Sequence, residues 1–166
     1  MLSEHNLHPS IRANFAIISV SDTRTKKTDE SARVARKLIK DNGHKLLTYN
    51  IIKNDNSLIE TTVKNILKDS RINVLLTIGG TGISKRDLTI ETITGLLHKK
   101  IEGFGELFRY LSYREIGEAA MISRAAAGTI KGRIIFCLPG SKNAVRLALK
   151  KLILPGLGHT VKEANR

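Results

Sequence analysis

Apolar segments typical of β-strands alternate with amphipathic segments typical of helices over the first hundred residues. The strand segments are short apolar runs between turn residues, whereas the helical segments repeat apolar residues at intervals of three and four. The strands are predicted at 14–20, 45–52 and 73–78, and the helices at 28–42, from 57 onward and at 89–97. Alternation of this kind predicts an α/β fold with a mostly parallel sheet, because parallel strands need crossover connections.

Two matches to the capping box predict where helices begin. In this motif a serine and a glutamate three residues later satisfy backbone amides at a helix start. Ser57 with Glu60 predicts the start of the second helix, and Ser112 with Glu115 predicts a helix start further along. Another helix is expected to begin near Gly103, where the pattern becomes less regular.

The C-terminal third is predicted to hold a hairpin and two helices. The hairpin strands are expected at 122–130 and 133–138, and the helices at 142–152 and beyond Pro155-Gly156. The sequence shows no internal repeat and no linker. We therefore assign residues 1–13 to a polar N-terminal tail and residues 14–166 to a single domain.

Composition excludes several classes of protein. The 166 residues suit one domain with a substantial core, and no apolar run approaches the roughly 20 residues that span a bilayer. The N-terminus lacks the pattern of a signal peptide, so a cytoplasmic location is expected. The single cysteine, Cys137, lies in an apolar run, which favours a buried structural thiol over a nucleophile.

The formal net charge of +13 indicates anionic partners. A nucleic-acid-binding module is one explanation, but the chain has no zinc-ligand spacing and only 4% aromatic residues for base stacking. Specific nucleic-acid binding is therefore not favoured. A small, highly phosphorylated substrate accounts for the same charge.

A glycine-rich loop follows the third predicted strand. Gly79, Gly80 and Gly82 allow tight turns and a close approach of backbone amides to an anionic group such as phosphate. The loop is neither a Walker A sequence nor the dinucleotide fingerprint, which follows a first strand. A simple tight turn is the alternative, but the basic pair and the carboxylate of Asp87 that follow exceed what a turn needs.

Four polar loops follow predicted strands, and ligands of open α/β sheets bind at the carboxyl ends of the strands. The loops are 21–24, 53–56, 79–82 and 139–141. If the strands are parallel, all four loops open at one edge of the sheet. Two of them have local alternatives, since Ser21 to Thr23 could cap a helix and Asp55 could belong to a turn.

Two aspartates at this edge are candidate magnesium ligands. Asp55 and Asp87 follow different strands, and carboxylates that converge near phosphates can hold Mg²⁺. Glu106 follows the flexible Gly103-Phe104-Gly105 and could reach the same cleft, or it could be an acid favoured at a helix N-terminus. The five histidines show no ligand spacing and are expected at the surface.

Several separate motifs resemble, in the same order, those of the MoaB/MogA family of molybdenum cofactor biosynthesis. The resemblance spans residues 14 to 158, and the segment from Gly103 to Gly128 is closer to MoaB. The motifs are Ser21 to Arg24, Thr77 to Gly82, Arg86 to Thr89, Gly103 to Glu106, Ser123-Arg124 and Leu138 to Ser141. One departure is Ile78, where the family usually has a second threonine.

The resemblance implies a three-layer α/β/α molybdopterin-binding fold and the adenylylation of molybdopterin by ATP with Mg²⁺. It implies catalytic roles for Asp55, Asp87 and Glu106, with Asp87 and Asp55 as the magnesium ligands. It also implies a substrate-binding set, which comprises Ser21, Asp22, Thr23, Arg24, Thr77, Gly79, Gly80, Thr81, Gly82, Ser123, Arg124, Pro139, Gly140 and Ser141.

Two functions follow as expectations from the resemblance. The first is a molybdopterin adenylyltransferase, and the alternative is a non-catalytic molybdopterin-binding or scaffold protein of the same pathway. Molybdopterin and ATP are the expected small-molecule partners, and other enzymes of the pathway are candidate protein partners. A homo-oligomer is also expected, either a trimer or a hexamer formed as a dimer of trimers.

Overall fold

Six strands form one sheet in the computed structural model, which describes residues 11–166. The strands are β1 (Asn14–Val20), β2 (Lys45–Ile52), β3 (Val74–Ile78), β4 (Lys99–Lys100), β5 (Ala126–Ile130) and β6 (Arg133–Leu138). Their order across the sheet is β2-β1-β3-β6-β5-β4. The first four in this order are parallel, β5 is antiparallel to β6, and β4 is antiparallel to β5. The predicted mostly parallel sheet with a hairpin is confirmed.

Helices cover both faces of the sheet. They are α1 (Glu30–Asp41), α2 (Asn56–Ile66), α3 (Thr89–Leu96), α4 (Glu102–Ile116), α5 (Lys142–Ala148) and α6 (Leu154–Ala164). Helices α1, α4, α5 and α6 pack on one face, and α2 and α3 pack on the other. Successive side chains of β1 point to opposite faces of the sheet. Phe15 and Ile17 therefore pack in the core under α1, α4, α5 and α6, and Ala16 and Ile18 pack in the core under α2 and α3. The fold is a three-layer α/β/α sandwich.

Both capping-box predictions are wrong. Helix α2 begins at Asn56, because the carboxylate of Asp55 caps it by accepting a hydrogen bond from the Leu58 amide at 2.8 Å. Asp55 has an extended backbone, which is the usual conformation of an N-cap residue. Ser112 is buried inside α4, which runs unbroken from Glu102 to Ile116.

Two boundaries in the C-terminal third also differ from the prediction. The segment expected as the start of a strand at 122 is instead the end of a 3₁₀ turn (Gly117–Ile122), and the strand begins only at Ala126. Pro155 does not separate two helices, because a π turn (Leu149–Ile153) joins α5 directly to α6. Pro155, which has no backbone amide to donate, is the second residue of α6 and follows this π turn closely.

Ala13, the last residue of the predicted N-terminal tail, packs into the core on the α1 side of the sheet. Ala13 is completely buried, and its carbonyl oxygen accepts a hydrogen bond from the Lys45 amide at 3.0 Å. Residues 1–10 of the predicted tail lie outside the described residues. From residue 11 onward, no helix is long and apolar enough to cross a membrane.

The parallel strands bring the four polar loops to one edge of the sheet, as predicted. Hydrogen bonds between neighbouring strand ends hold them there: the Ser21 amide donates to the Ile52 carbonyl at 2.9 Å, and the Gly79 amide donates to the Leu138 carbonyl at 2.9 Å. A ligand bound at this edge would therefore meet residues that are far apart along the chain.

Candidate functional site

A cleft of about 520 Å³ opens at this edge of the sheet. Twelve predicted site residues line it: Ser21, Thr23, Arg24, Gly79, Gly80, Thr81, Gly82, Asp87, Ser123, Arg124, Pro139 and Gly140. Val20 and two residues of the 3₁₀ turn, Ala119 and Ile122, line it as well and were not predicted. The cleft therefore collects the loops after β1, β3 and β6 together with the segment before β5.

The glycine loop forms the floor of the cleft in a conformation that needs glycine. Gly79 and Gly80 have φ values of +99° and +64°, in the left-handed region that side chains disfavour. A Cβ atom on Gly82 would lie 2.6 Å from the carboxylate oxygen Oδ2 of Asp87. The loop is thus shaped to fit closely around the Asp87 side chain.

Asp87 is held by the loop that carries it. Its Oδ2 atom accepts hydrogen bonds from the Ser84 hydroxyl at 2.6 Å and from the Ser84 amide at 3.0 Å. These bonds, with smaller effects from the Gly82 amide and the Arg124 charge, outweigh desolvation and lower the pKa of Asp87 below its ordinary value. The cleft therefore contains an ionised carboxylate at neutral pH.

Arg24 forms one wall of the cleft. Its guanidinium donates to the carbonyl oxygen of Gly140 at 2.5 Å and lies 3.6 Å from the Asp29 carboxylate. The same carbonyl accepts a hydrogen bond from the Ser31 hydroxyl at 2.6 Å. These contacts join the loop after β1, the first turn of α1 and the loop after β6.

Arg124 forms the opposite wall and is held in a similar way. Its Nε atom donates to the carbonyl oxygen of Thr81 at 2.9 Å. Its two terminal nitrogens donate to the carboxylate of Glu91 at 2.5 and 3.2 Å, in the forked arrangement that arginine makes with carboxylates. This fork is the main cause of the lowered pKa of Glu91.

Five predicted site residues do not line the cleft. Asp55 caps α2, and Ser141 caps α5 by accepting from the Ala144 amide at 3.2 Å. Thr77 is fully buried in β3, and the remaining two, Asp22 and Glu106, are exposed, Glu106 on α4. The roles predicted for these five residues stay predictions.

The loop after β2 is nevertheless tied to the loops around it. Asp22 accepts a hydrogen bond from the Asn54 amide at 3.0 Å, and the side chain of Asn54 donates to the carbonyl oxygen of Arg86. Asn54 also accepts a hydrogen bond from the Leu88 amide at 3.4 Å. Asp55 therefore follows Asn54 in the chain, and Asn54 is hydrogen-bonded to the residues directly before and after Asp87.

Two positions that bear on reactivity are buried in the core. Ile78, the departure from the family pattern, has no exposed surface and packs with the apolar residues of the α1 side of the sheet. Burial raises the pKa of the Cys137 thiol to about 12, so this cysteine is protonated at neutral pH, as a structural thiol should be.

The cleft offers one carboxylate as a ligand for magnesium. In residues 11–166, no group of three or more His, Cys, Asp or Glu side chains is placed to hold a metal ion. Mg²⁺, however, is commonly held by one or two carboxylates, with phosphate oxygens and waters as its other ligands. The ionised carboxylate of Asp87 satisfies the protein's share of such a site.

Sequence reasoning missed Asp29 and Glu91, the carboxylates that hold the two arginines. Asp29 lies five residues after Arg24, but Glu91 lies 33 residues before Arg124. Neither has a motif that marks it as part of a site. The one sequence feature that could have pointed to them is that both lie at or near the first turn of a helix that follows a polar loop.

Comparison with known proteins identifies relatives that match nearly the whole chain. Residues 16–159 match the model of a family described as a probable molybdopterin binding domain. The molybdenum cofactor biosynthesis protein B of Bacillus anthracis is 48% identical over 166 residues, covering 99% of this chain and 98% of the relative. The protein of the same name from Staphylococcus aureus is 45% identical, covering 96% and 98%.

Solved structures agree with these relatives. A crystal structure of a molybdenum cofactor biosynthesis protein B has a TM-score of 0.92 and 48% identity, covering 95% of this chain and 99% of the other. The structure of the tungsten cofactor synthesizing protein MoaB from Pyrococcus furiosus has a TM-score of 0.83 and 34% identity, covering 93% and 98%. The chain belongs to the molybdopterin-binding domain family of molybdenum cofactor biosynthesis, and it is similar to the proteins named MoaB within it.

Proposed function

We propose that this chain is a cytoplasmic molybdopterin adenylyltransferase that uses ATP and Mg²⁺. In this reaction an oxygen of the terminal phosphate of molybdopterin attacks the α-phosphorus of ATP. The bond from the α-phosphorus to the oxygen that bridges to the β-phosphorus breaks, so that the products are adenylyl-molybdopterin and pyrophosphate. Catalysis of such a transfer consists mainly of positioning and of neutralising charge.

One observation carries the proposal. The ionised carboxylate of Asp87 lies in the same cleft as the glycine loop and two arginines, each of which donates a hydrogen bond to a loop carbonyl. A carboxylate next to two cations does not suit the binding of an anion alone, because it would repel that anion. It does suit the binding of an anion together with a divalent cation.

Each part of the cleft has a role in this proposal. The amides of Gly80 and Thr81 are the loop donors left for nucleotide phosphates, because the Gly79 amide is bonded to Leu138 and the Gly82 amide to Asp87. Arg24 and Arg124 neutralise phosphate charge from opposite walls. Mg²⁺, held by Asp87 and phosphate oxygens, would stabilise the charge that develops on the transferred group. Ser123, Pro139 and Gly140 would form the surface against the pterin.

The second candidate is a binding or scaffold protein without catalytic activity. The positions of Asp55 and Glu106 favour it, because neither residue lines the cleft. The cleft residues alone would still bind a phosphorylated pterin through the two arginines and the glycine loop. The two candidates therefore differ in turnover and agree in pterin binding.

Assembly into a trimer, or into a hexamer of two trimers, is part of the proposal. Exposed apolar side chains recur every three residues along α4, and two more follow in the 3₁₀ turn. They are Leu107, Tyr110, Tyr113, Ile116, Met121 and Ile122, each between 53% and 82% exposed. Apolar surface of this kind commonly marks a protein interface. Sedimentation equilibrium measures the mass of the assembly directly.

The deciding experiment is incubation of the protein with molybdopterin, ATP and Mg²⁺ while the release of pyrophosphate is followed. Release that depends on all three components supports the adenylyltransferase. Pterin binding without pyrophosphate release would instead support the scaffold protein. Binding of neither pterin nor Mg-ATP would overturn both candidates.

Asp87→Asn tests the carboxylate that carries the proposal. Because the variant cannot supply a charged ligand to Mg²⁺, turnover should fall by about a hundredfold or more, while the thermal unfolding temperature stays close to that of the wild type. Asp69→Asn is a matched control, since Asp69 is paired with Arg71 outside the cleft. A fully active Asp87→Asn protein would remove Asp87 from the mechanism.

A further inference from the structure

Asp29 is a carboxylate with no exposed side-chain surface. Aspartate is rarely buried to this extent unless it is paired, because removing its charge from water is costly. Burial alone would raise the pKa of Asp29, but hydrogen bonds from its neighbours and the charge of Arg24 together lower it below the ordinary value. Asp29 is therefore a buried negative charge at neutral pH, and the proposed reaction does not use it.

The contacts of Asp29 fix its carboxylate in one orientation. Oδ1 accepts a hydrogen bond from the Ala32 amide at 3.0 Å, and Oδ2 accepts one from the Tyr49 hydroxyl at 2.7 Å. Tyr49 lies on β2, and its ring stacks under the guanidinium of Arg36 at 5.6 Å. The carboxylate is thus held from the sheet and from its own helix.

Arg24 is the link between this buried carboxylate and the cleft. Its Nη1 atom faces Oδ1 of Asp29 at 3.6 Å, and its Nη2 atom donates to the carbonyl oxygen of Gly140 at 2.5 Å. The arginine side chain is 29% exposed, and the residue lines the cleft. A guanidinium fixed on two sides presents its remaining N–H groups in one direction.

We infer that Asp29 is a positioning residue, which holds the Arg24 guanidinium on the cleft wall in the orientation that meets a phosphate group. Tyr49 supports Asp29 in this role by bonding to the carboxylate oxygen that does not face Arg24. The inference rests on the proposed function only for the statement that Arg24 meets phosphate. The link from Tyr49 through Asp29 to Arg24 stands on the contacts themselves.

A purely structural role is the competing explanation, because Asp29 also caps α1. An N-cap needs only an oxygen acceptor, which asparagine supplies as well as aspartate. Asp29→Asn therefore keeps the cap through its Oδ1 atom, and its new amide can donate to the Tyr49 oxygen. What the variant loses is the charge that faces Arg24.

The first test reads the position of Arg24 without any ligand. In ¹⁵N NMR spectra of the guanidinium groups, restricted rotation of Arg24 in the wild type should give separate Nη signals. Asp29→Asn should average these signals, and Tyr49→Phe should broaden them. Asp41→Asn removes a carboxylate at the other end of α1, where it pairs with exposed Lys37, and should leave them unchanged.

Unchanged Arg24 signals in folded Asp29→Asn would overturn the inference. If Asp29→Asn does not fold, unchanged signals in Tyr49→Phe would overturn it.

The second test is a double-mutant cycle on the affinity for Mg-ATP and for pyrophosphate. Arg24→Ala should weaken binding about tenfold or more, since hydrogen bonds to charged groups are the strong ones. Asp29→Asn should weaken it severalfold in the wild type and not at all in the Arg24→Ala background. Equal effects of Asp29→Asn in both backgrounds would refute the positioning role. If the wild type binds neither probe, the proposed function fails, and the NMR test still decides the role of Asp29.

Discussion

The two arginines of the cleft are nearly equally exposed, but the carboxylates that hold them are not. The Arg24 and Arg124 side chains are 29% and 32% exposed, whereas Asp29 is fully buried and Glu91 is 55% exposed. The exposed pair has the shorter contacts, at 2.5 and 3.2 Å, and the buried pair lies 3.6 Å apart. Distance alone would rank the exposed Glu91 pair as the stronger one, whereas burial ranks the Asp29 pair as the stronger one.

The environment of each carboxylate explains the difference. Water and salt screen the Glu91 pair, so that it contributes little to stability and can be exchanged for another partner. Asp29 is removed from water, so its electrostatic contacts are screened far less. We therefore expect the wall that carries Arg24 to be the more rigid of the two.

The largest difference between the two walls is expected in stability. Asp29→Ala leaves the Tyr49 hydroxyl, the Ala32 amide and the Arg24 charge without their partner, and should lower the free energy of unfolding by about 3 kcal/mol or more. Glu91→Ala should lower it by at most about 1 kcal/mol. Urea denaturation of both variants measures this. Equal losses would show that burial does not distinguish the two pairs.

A smaller effect is expected for Tyr49→Phe, and it depends on pH. Loss of the hydroxyl should cost about 1 kcal/mol at pH 7. Burial, together with the hydrogen bond to Asp29, raises the pKa of Tyr49 to about 12 from an ordinary value of 10.0. The folded state therefore holds this proton more tightly than the unfolded state, and the resulting stability is present below pH 10 and is lost as the pH rises towards 12.

The free energies of unfolding of the wild type and of Tyr49→Phe should accordingly converge between pH 10 and pH 12. Chemical denaturation at a series of pH values follows the difference between them. A difference that stays constant up to pH 12 would mean that the phenol is not held by Asp29 in the folded protein.

The smallest expected effect is the salt dependence of the Glu91 pair. At low salt, Glu91→Ala should be less stable than the wild type by a few tenths of a kcal/mol, and this difference should vanish at about 0.5 M salt because exposed charges are screened. The loss caused by Asp29→Asn should hardly change over the same range. A Glu91→Ala effect that resists salt would indicate that this pair is as well protected as the buried one.

The sheet and most of the cleft could be predicted because short segments determine them. An apolar run that ends in Gly79 to Gly82 predicts both a strand and a turn, and parallel strands bring such turns together. Ile78 shows the limit of motif comparison. It replaces an expected hydroxyl group, but strand alternation directs its side chain into the core and away from the cleft.

The parts that could not be predicted depend on contacts between distant segments. Asp29 and Tyr49 meet only because α1 packs beside β2, and Glu91 meets Arg124 only because the segment before β5 folds back over α3. The capping box at Ser57 failed for a more local reason. Asp55, two residues before Ser57, caps the helix instead by accepting a hydrogen bond from the Leu58 amide.

The π turn at Leu149–Ile153 sets the phase of the last helix. Buried side chains recur every four residues here, at Val145, Leu149, Ile153, Leu157 and Val161. In a regular α-helix with 3.6 residues per turn, such a row would drift around the axis by about 40° at each step. The wider π turn slows this drift, so both halves of the helix keep one side against the sheet. Removing one residue from the turn would rotate Leu157 and Val161 by about 100° and expose the end of the core.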